Sequence, residues 1–443
     1  MYQKCLYSFR IFFGIVLLPL IFLSGCSVDR RMNKKLQHVF KQSVLNNASQ
    51  VGFALKRVDG NRIVYEKNAH KYFTPASNAK LLTFYAALKM IPDSVPALRY
   101  VERGDSLIFW GTGDPSFLHS RLKGDKALKF LAESGKKLFF SAGRYTGNFY
   151  GLGWAWDDYN DYEQAEITEL PIMDNVVTIK GTAGKLNVNP RLFTDRFLKD
   201  SLSAAKTFRI VRQFDRNEFN YPAMAVPEGY TAAVPYKTST TTTLNLLTDT
   251  LHLNVQLVHE EMPATAKTIY NAKTDDVLRE MILPSDNFIA EQLLLVCSNQ
   301  FQRDLSGDDA IARVKKEYLS AMPDPPRWVD GSGLSRMNLI SPADMVMLLD
   351  MIYKEVHNDT RLFGMLSAGG KTGTLKNAYP HTDQPFVYGK TGTLSNNYNQ
   401  SGYVITKKGK IMIFSFMNNH FLIPVADVKA EMARIITYIH EHF

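Results

Sequence analysis

The sequence predicts an α/β fold in which one discontinuous domain is interrupted by a β-rich insertion. Three observations carry this reading. Strand and helix patterns occur together over residues 51–91; short β-type runs separated by Gly, Pro and Asn fill roughly 96–260; helices and strands then resume and continue to the C terminus. The boundaries that follow are 26–95 and 261–443 for the split domain and 96–260 for the insertion.

The chain has 443 residues, room for two or three cores. Its 12% aromatic and 21% charged content excludes disorder, because such a chain buries enough apolar surface to offset its ordering entropy. Three cysteines exclude a disulfide scaffold, and without a Cys-x-x-Cys, a Cys/His cluster or a histidine pairing no metal or cofactor is expected. The formal charge of +9 is compatible with nucleic acid, anionic lipid or an acidic substrate.

The elements follow in order. Lys4 and Arg10 introduce the apolar run Ile11 to Leu23, which is short for a membrane span, and Leu23-Ser24-Gly25-Cys26 is similar to the bacterial lipoprotein box. Residues 1–25 are therefore expected to be a cleaved signal and Cys26 to carry lipid. A polar tether, 27–42, leads to strand, turn and strand over Val51 to Val58, Asp59-Gly60 and Arg62 to Glu66. Thr74-Pro75-Ala76-Ser77 enters the helix LLTFYAALKM, which Pro92 ends. After the insertion, helices are predicted over 275–282, 287–296 and 342–353, and strands over 385–388, 402–406 and 410–417. The last helix carries Val425, Val428, Met432, Ile436 and Ile439 on one face.

No G-x-S-x-G elbow occurs, and the two Gly-Lys-Thr triplets lack the first glycine of a phosphate-binding loop, with Met365 and Gln384 in its place. What occurs is Ser-x-x-Lys, Ser-x-Asn and Lys-Thr-Gly, in that order. Ser-x-x-Lys is found four times, beginning at Ser77, Ser120, Ser134 and Ser203. Only Ser77 opens an apolar helix, where i,i+3 spacing puts Lys80 beside the hydroxyl; a desolvated lysine there serves as base toward the serine. Ser285-Asp286-Asn287 precedes the apolar FIAEQLLLV, whereas Ser395-Asn396-Asn397 sits in a polar loop, so the first pair supplies the relay hydroxyl and the amide. Lys-Thr-Gly is duplicated. Lys371-Thr372-Gly373 follows a flexible run, but Lys390-Thr391-Gly392 ends the extended PFVYG and can lie on a sheet edge. There Lys390 offers charge to a carboxylate, Thr391 a hydroxyl, and Thr393 an amide for an oxyanion beside the Ser77 amide.

With these motifs, and with Gly111-Thr-Gly-Asp-Pro115, Trp154-Ala-Trp-Asp-Asp158 and Asp330-Gly-Ser-Gly-Leu-Ser-Arg336 in matching order, the chain resembles the class C low-molecular-mass penicillin-binding proteins, a D-alanyl-D-alanine carboxypeptidase/endopeptidase family of serine peptidases. The resemblance implies a β-lactamase/transpeptidase-like domain, an antiparallel sheet flanked by helices, with the insertion between the first and second motifs. It implies Ser77 as nucleophile, Lys80 as base, Ser285 as relay and Asn287 as amide clamp, with Lys390 and Thr391 binding the terminal carboxylate. Asp157, Tyr162 and Arg336 are implied for the side chain of the third stem-peptide residue. The Lys371 copy occupies a place where the family keeps only Gly-Thr-Leu, and it resembles a loop without catalytic consequence. The plainer readings are a turn cap for Asp157, half-buried packing for Tyr162 and a solvated cation for Arg336.

The implied partners are peptidoglycan stem peptides, β-lactam antibiotics as covalent inhibitors and a membrane reached through the lipid, in the bacterial cell envelope facing the periplasm; no nucleic acid is expected. A serine β-lactamase and a non-catalytic wall-binding module are the alternatives. The first needs a deacylating carboxylate that no motif places, and intact motifs argue against the second.

Overall fold

The computed structural model describes residues 29–443 except Asn61; the expected signal and Cys26 lie outside the described residues. A six-stranded antiparallel sheet is ordered Ser367–Ala368, Val387–Leu394, Asn397–Ile405, Ile411–Asn419, Gln50–Arg57, Ile63–Lys67. Its centre is made by opposite ends of the chain, since Gln50 to Arg57 pair with Asn419 to Met412. Alternation along Ile411–Asn419 explains why the sheet is covered on both faces. Met412, Phe414 and Phe416 point to a layer that includes the C-terminal helix Val425–His442, while Ile413 and Met417 point to the helices Lys80–Met90, Asn287–Ser298 and Pro342–Val356. Full burial of each such side chain contributes roughly 1.5–3 kcal/mol.

Two expectations are corrected here. The presumed tether is helical over 29–41, because Met32, Leu36, Val39 and Phe40 recur at helical spacing and are buried under the sheet. On the last helix Val425 lies exposed in the first turn, and Ile435 joins Val428, Met432, Ile436 and Ile439 in the buried face.

The inserted region has its own core around Phe109, Phe140, Val177 and Phe219. It holds a five-stranded sheet (Val255–Val258, Lys137–Ser141, Ser106–Gly111, Ser94–Arg103, Lys267–Lys273) and two three-stranded sheets. Because Lys267–Lys273 pairs with Ser94–Arg103, hydrogen bonding carries this region to Lys273 rather than ending it at 260. It also contains helices, Lys126–Glu133 and Thr240–Leu251, in a stretch that reads as β. The threonine run at 240–243 has strand propensity, yet Ser239 Oγ caps Thr242 N at 3.0 Å and Leu246, Leu247 and Leu251 reach the core. The region docks on the helix Asn287–Ser298: Gln292 Nε2 donates to Gly113 O (3.0 Å) and Thr168 O (2.8 Å), and Trp154 Nε1 donates to Asp330 Oδ2 (2.9 Å). The Gly-Thr-Gly-Asp and Trp-Ala-Trp segments thus join the two parts. A Cβ on Gly113, whose φ is +85°, would meet Leu295 Cβ at 2.6 Å, so this packing requires glycine.

Candidate active site

Ser77 lies in a 3₁₀ turn, Ala76–Ala79, and the α-helix begins only at Lys80. The sequence placed Ser77 in the α-helix itself. The difference favours the pairing, because side chains at i and i+3 eclipse in a 3₁₀ turn. Lys80 Nζ donates to Ser77 Oγ at 3.1 Å. It also donates to Asn287 Oδ1 (2.5 Å) and to the Ser332 carbonyl (2.8 Å), so all three ammonium protons have acceptors. Lys80 is fully buried, and burial lowers its pKa to about 8 against the opposing charges of Glu291, Asp286, Asp330 and Glu163.

Asn287 opens the helix Asn287–Ser298, and Asp286 caps it by accepting from Ile289 N at 3.0 Å. Asn287 Nδ2 donates to the Glu163 carbonyl at 3.1 Å, so both ends of this amide are engaged: it orients Lys80 instead of presenting a free donor. Ser285 is half-buried with φ +68°, a conformation uncommon outside glycine, and among the described residues no hydrogen bond links its hydroxyl to Ser77 or Lys80. Arg121 holds the segment by bridging Asp286 (2.9 Å) and Glu280 (2.7 Å).

Lys390, Thr391, Gly392 and Thr393 lie within the strand Val387–Leu394, not at its end. The short strand Ser367–Ala368 pairs only with Gly389 and Tyr388, so the strand is open on that side from Lys390 onward. Gly392 backs onto the serine turn; a Cβ there would sit 3.0 Å from Ser77 N and 2.9 Å from Asn78 N, and closer still to the Pro75 carbonyl. No side chain fits at that position, and Thr393 next to it is exposed. Lys390 is fully buried and donates to the Thr391 carbonyl at 2.6 Å. Burial holds its pKa well below the usual lysine range, and the Lys80 charge pushes the same way.

The duplicated triplet divides. Lys371 is exposed, and its ammonium donates to the Asp383 carbonyl at 3.1 Å. Thr374 of the same copy bonds Thr391 Oγ1 at 2.8 Å. The Gly-Thr-Leu part therefore touches the Lys390 strand through the Thr391 hydroxyl, a contact that the sequence reading of this copy did not include.

Of the three residues expected at the third stem position, Tyr162 lines a cavity of about 430 Å³ with Asp158, Asp161, Glu163, Gln164 and Leu334. Asp157 is exposed and not part of that lining, while Asp158 is; in the 3₁₀ turn Trp156–Asn160 successive side chains diverge by about 120°, so the two carboxylates face different directions. Arg336 is exposed and donates to the Ser395 carbonyl at 3.0 Å. Glu163 and the Ser332 carbonyl were missed by sequence reasoning. Glu163 carries no motif beyond adjacency to Tyr162, and a backbone carbonyl has no side-chain signature. Among the described residues no group of three or more His, Cys, Asp or Glu is placed to hold a metal, and no helix is long and apolar enough to cross a membrane.

A serine hydroxyl bonded to a buried lysine of depressed basicity, facing a second buried lysine on an antiparallel strand, defines a serine acyl-transfer hydrolase on a transpeptidase-like α/β fold. The chain belongs to the D-Ala-D-Ala carboxypeptidase 3 (S13) family, which matches residues 32–439. It is 24% identical over 419 residues to the D-alanyl-D-alanine carboxypeptidase DacB of Haemophilus influenzae, covering 85% of this chain and 87% of that protein. Its fold is similar to the crystal structure of penicillin-binding protein 4 (dacB) from H. influenzae, with a TM-score of 0.72 at 19% identity, covering 92% of this chain and 99% of the other. The predatory peptidoglycan endopeptidase Bd3459 of Bdellovibrio bacteriovorus gives a TM-score of 0.50 at 14% identity, covering 88% and 94%.

Proposed function

We propose that the chain cleaves peptidoglycan stem peptides as a D-Ala-D-Ala carboxypeptidase and DD-endopeptidase through a Ser77 acyl-enzyme. The observation that carries this is the 3.1 Å contact from a fully buried Lys80 to Ser77 Oγ. Neutral Lys80 takes the hydroxyl proton as Ser77 Oγ attacks the carbonyl of the penultimate D-Ala. The oxyanion forms between the Ser77 and Thr393 amides. The proton taken by Lys80 reaches the departing amine through Ser285, which gives up its hydroxyl proton as the Lys80 ammonium replaces it, a step that needs Ser285 to turn into contact with Lys80. That amine belongs to a terminal D-alanine, or to diaminopimelate in a crosslink, and water then hydrolyses the ester. Lys390 and Thr391 hold the terminal carboxylate. The carboxylates of Asp158, Asp161 and Glu163 receive an amine-bearing third side chain in the 430 Å³ cavity, with Asp157 and Arg336 outside its lining. β-Lactams acylate the same serine.

Lys80 is a base only when neutral. With its pKa at about 8, the acylation rate should climb about tenfold per pH unit below that value and level off above it. A rate that instead falls through the same range would exclude Lys80 as the base. The function itself is tested by mass analysis of crosslinked and uncrosslinked muropeptides after incubation with the protein: loss of D-alanine or of the crosslink supports it, and neither product refutes it. A Ser77 adduct that persists after brief exposure to labelled penicillin separates this reading from a β-lactamase.

Cys26 is proposed as the lipidated first residue of an exported, envelope-tethered protein that faces the periplasm. Metabolic labelling with a lipid precursor should mark the wild type and not Cys26→Ala; label retained by that variant would remove the anchor.

A further inference from the structure

One turn beyond Asn287 on the same helix stands Glu291, a buried carboxylate. Its Oε2 accepts from Gly331 N at 3.0 Å and its Oε1 from Ser332 N at 2.7 Å. The carbonyl of that same Ser332 takes a proton of the Lys80 ammonium at 2.8 Å. The loop is fixed from its other side by Asp330, whose carboxylate accepts from Gly333 N (2.8 Å), Ser335 N (2.7 Å) and Asn338 Nδ2 (2.7 Å). Two consecutive residues of the loop thus aim their amides at Glu291 while the second aims its carbonyl at Lys80. A helix that already supplies Asn287 to the lysine supplies, four residues later, the anchor for the lysine's other acceptor.

We propose that Glu291 is a positioning residue for acylation: from the helix that also carries Asn287, its buried carboxylate holds the Ser332 carbonyl against Lys80. The proposal rests on the acyl-enzyme reading above. Glu291 contributes the largest opposing charge to the burial that depresses Lys80, ahead of Asp286, Asp330 and Glu163. Burial, with Asp330 adding repulsion, raises its own pKa to about 7, and two backbone amides hold it down. Tyr145 from the inserted region also feels its charge, and Lys390 is the second buried lysine of the site. None of these other groups changes in the variants below.

The test is the rate of acylation by a fluorescent penicillin across pH for the full-length protein and two variants, with thermal melting as a check on folding. Removing an anion disfavours the ammonium, so Glu291→Gln should move the acid limb of the profile to lower pH by about one unit and lower the plateau, since one of the two accepting oxygens becomes an NH2 donor that faces a loop N–H. Glu291→Asp keeps the charge but withdraws it by one methylene; its limb should stay near that of the wild type while its plateau falls by roughly fivefold or more. A plateau loss with an unmoved limb in Glu291→Gln would reduce Glu291 to a structural role, and an unchanged plateau in Glu291→Asp would overturn the positioning. Should Glu291→Gln fail to fold, the Glu291→Asp plateau decides. A wild type that forms no adduct would instead refute the acyl-enzyme reading.

Discussion

Ser77→Ala is expected to abolish the penicillin adduct and to cut D-alanine release by about 10⁴-fold or more, and Lys80→Ala to cost about 10³–10⁴-fold. The physical reason is that the two side chains form one device. The hydroxyl is a weak nucleophile until its proton leaves, and the Lys80 amine, 3.1 Å away, is within reach to accept that proton once it is neutral. Burial lowers the basicity of Lys80 while Asn287 and Ser332 fix its direction, the state the proposed proton transfer needs. The Ser77→Ala/Lys80→Ala double variant should therefore be no worse than Ser77→Ala within about threefold, since groups that act as a unit are not additive. Stopped-flow acylation and D-alanine release from a pentapeptide read both effects. A double variant worse by the product of the singles would show that Lys80 acts independently of the serine.

The second large effect separates the two Lys-Thr-Gly copies. Lys390→Ala should lower acylation by roughly 10²–10³-fold, the cost of deleting the buried lysine proposed to meet the substrate carboxylate. Lys371→Ala should leave it unchanged, because Lys371 is exposed and bonds only a loop carbonyl among the described residues. The assay is again the rate of adduct formation. Equal losses in the two variants would mean that the Lys371 segment reaches substrate, and no loss in Lys390→Ala would remove it as the carboxylate binder. Thr374 gives the copy its real connection, through its hydroxyl to Thr391.

Most of the central elements were legible because their periodicity is strong. The apolar run after Ser77, the all-buried helix after Asn287 and the alternating strands near the C terminus each carry a signal that tertiary contacts reinforce. The helix over 29–41 hid behind its charges, and Thr240–Leu251 behind its threonines; in each, a few apolar residues at helical spacing outweighed local composition once a core was available. Asp157, Tyr162 and Arg336 illustrate a limit of another kind: a motif names a neighbourhood, and the placement of each side chain, with Tyr162 lining the 430 Å³ cavity and Asp157 and Arg336 exposed outside its lining, comes only from the structure.

The sequence by itself determined the three motifs, their order, the pairing of Ser77 with Lys80 and the family to which the chain belongs, because side-chain chemistry at fixed short spacing survives without knowledge of the fold. The tertiary structure alone decided how closely Gly392 of the copy favoured by the sequence backs onto the serine turn, that Asn287 is engaged at both ends of its amide, and that Ser332 and Glu291 complete the environment of Lys80. Those facts depend on backbone carbonyls and amides, which every residue carries alike, and on contacts between segments more than 200 residues apart, such as Lys80 with Asn287 and Ser332.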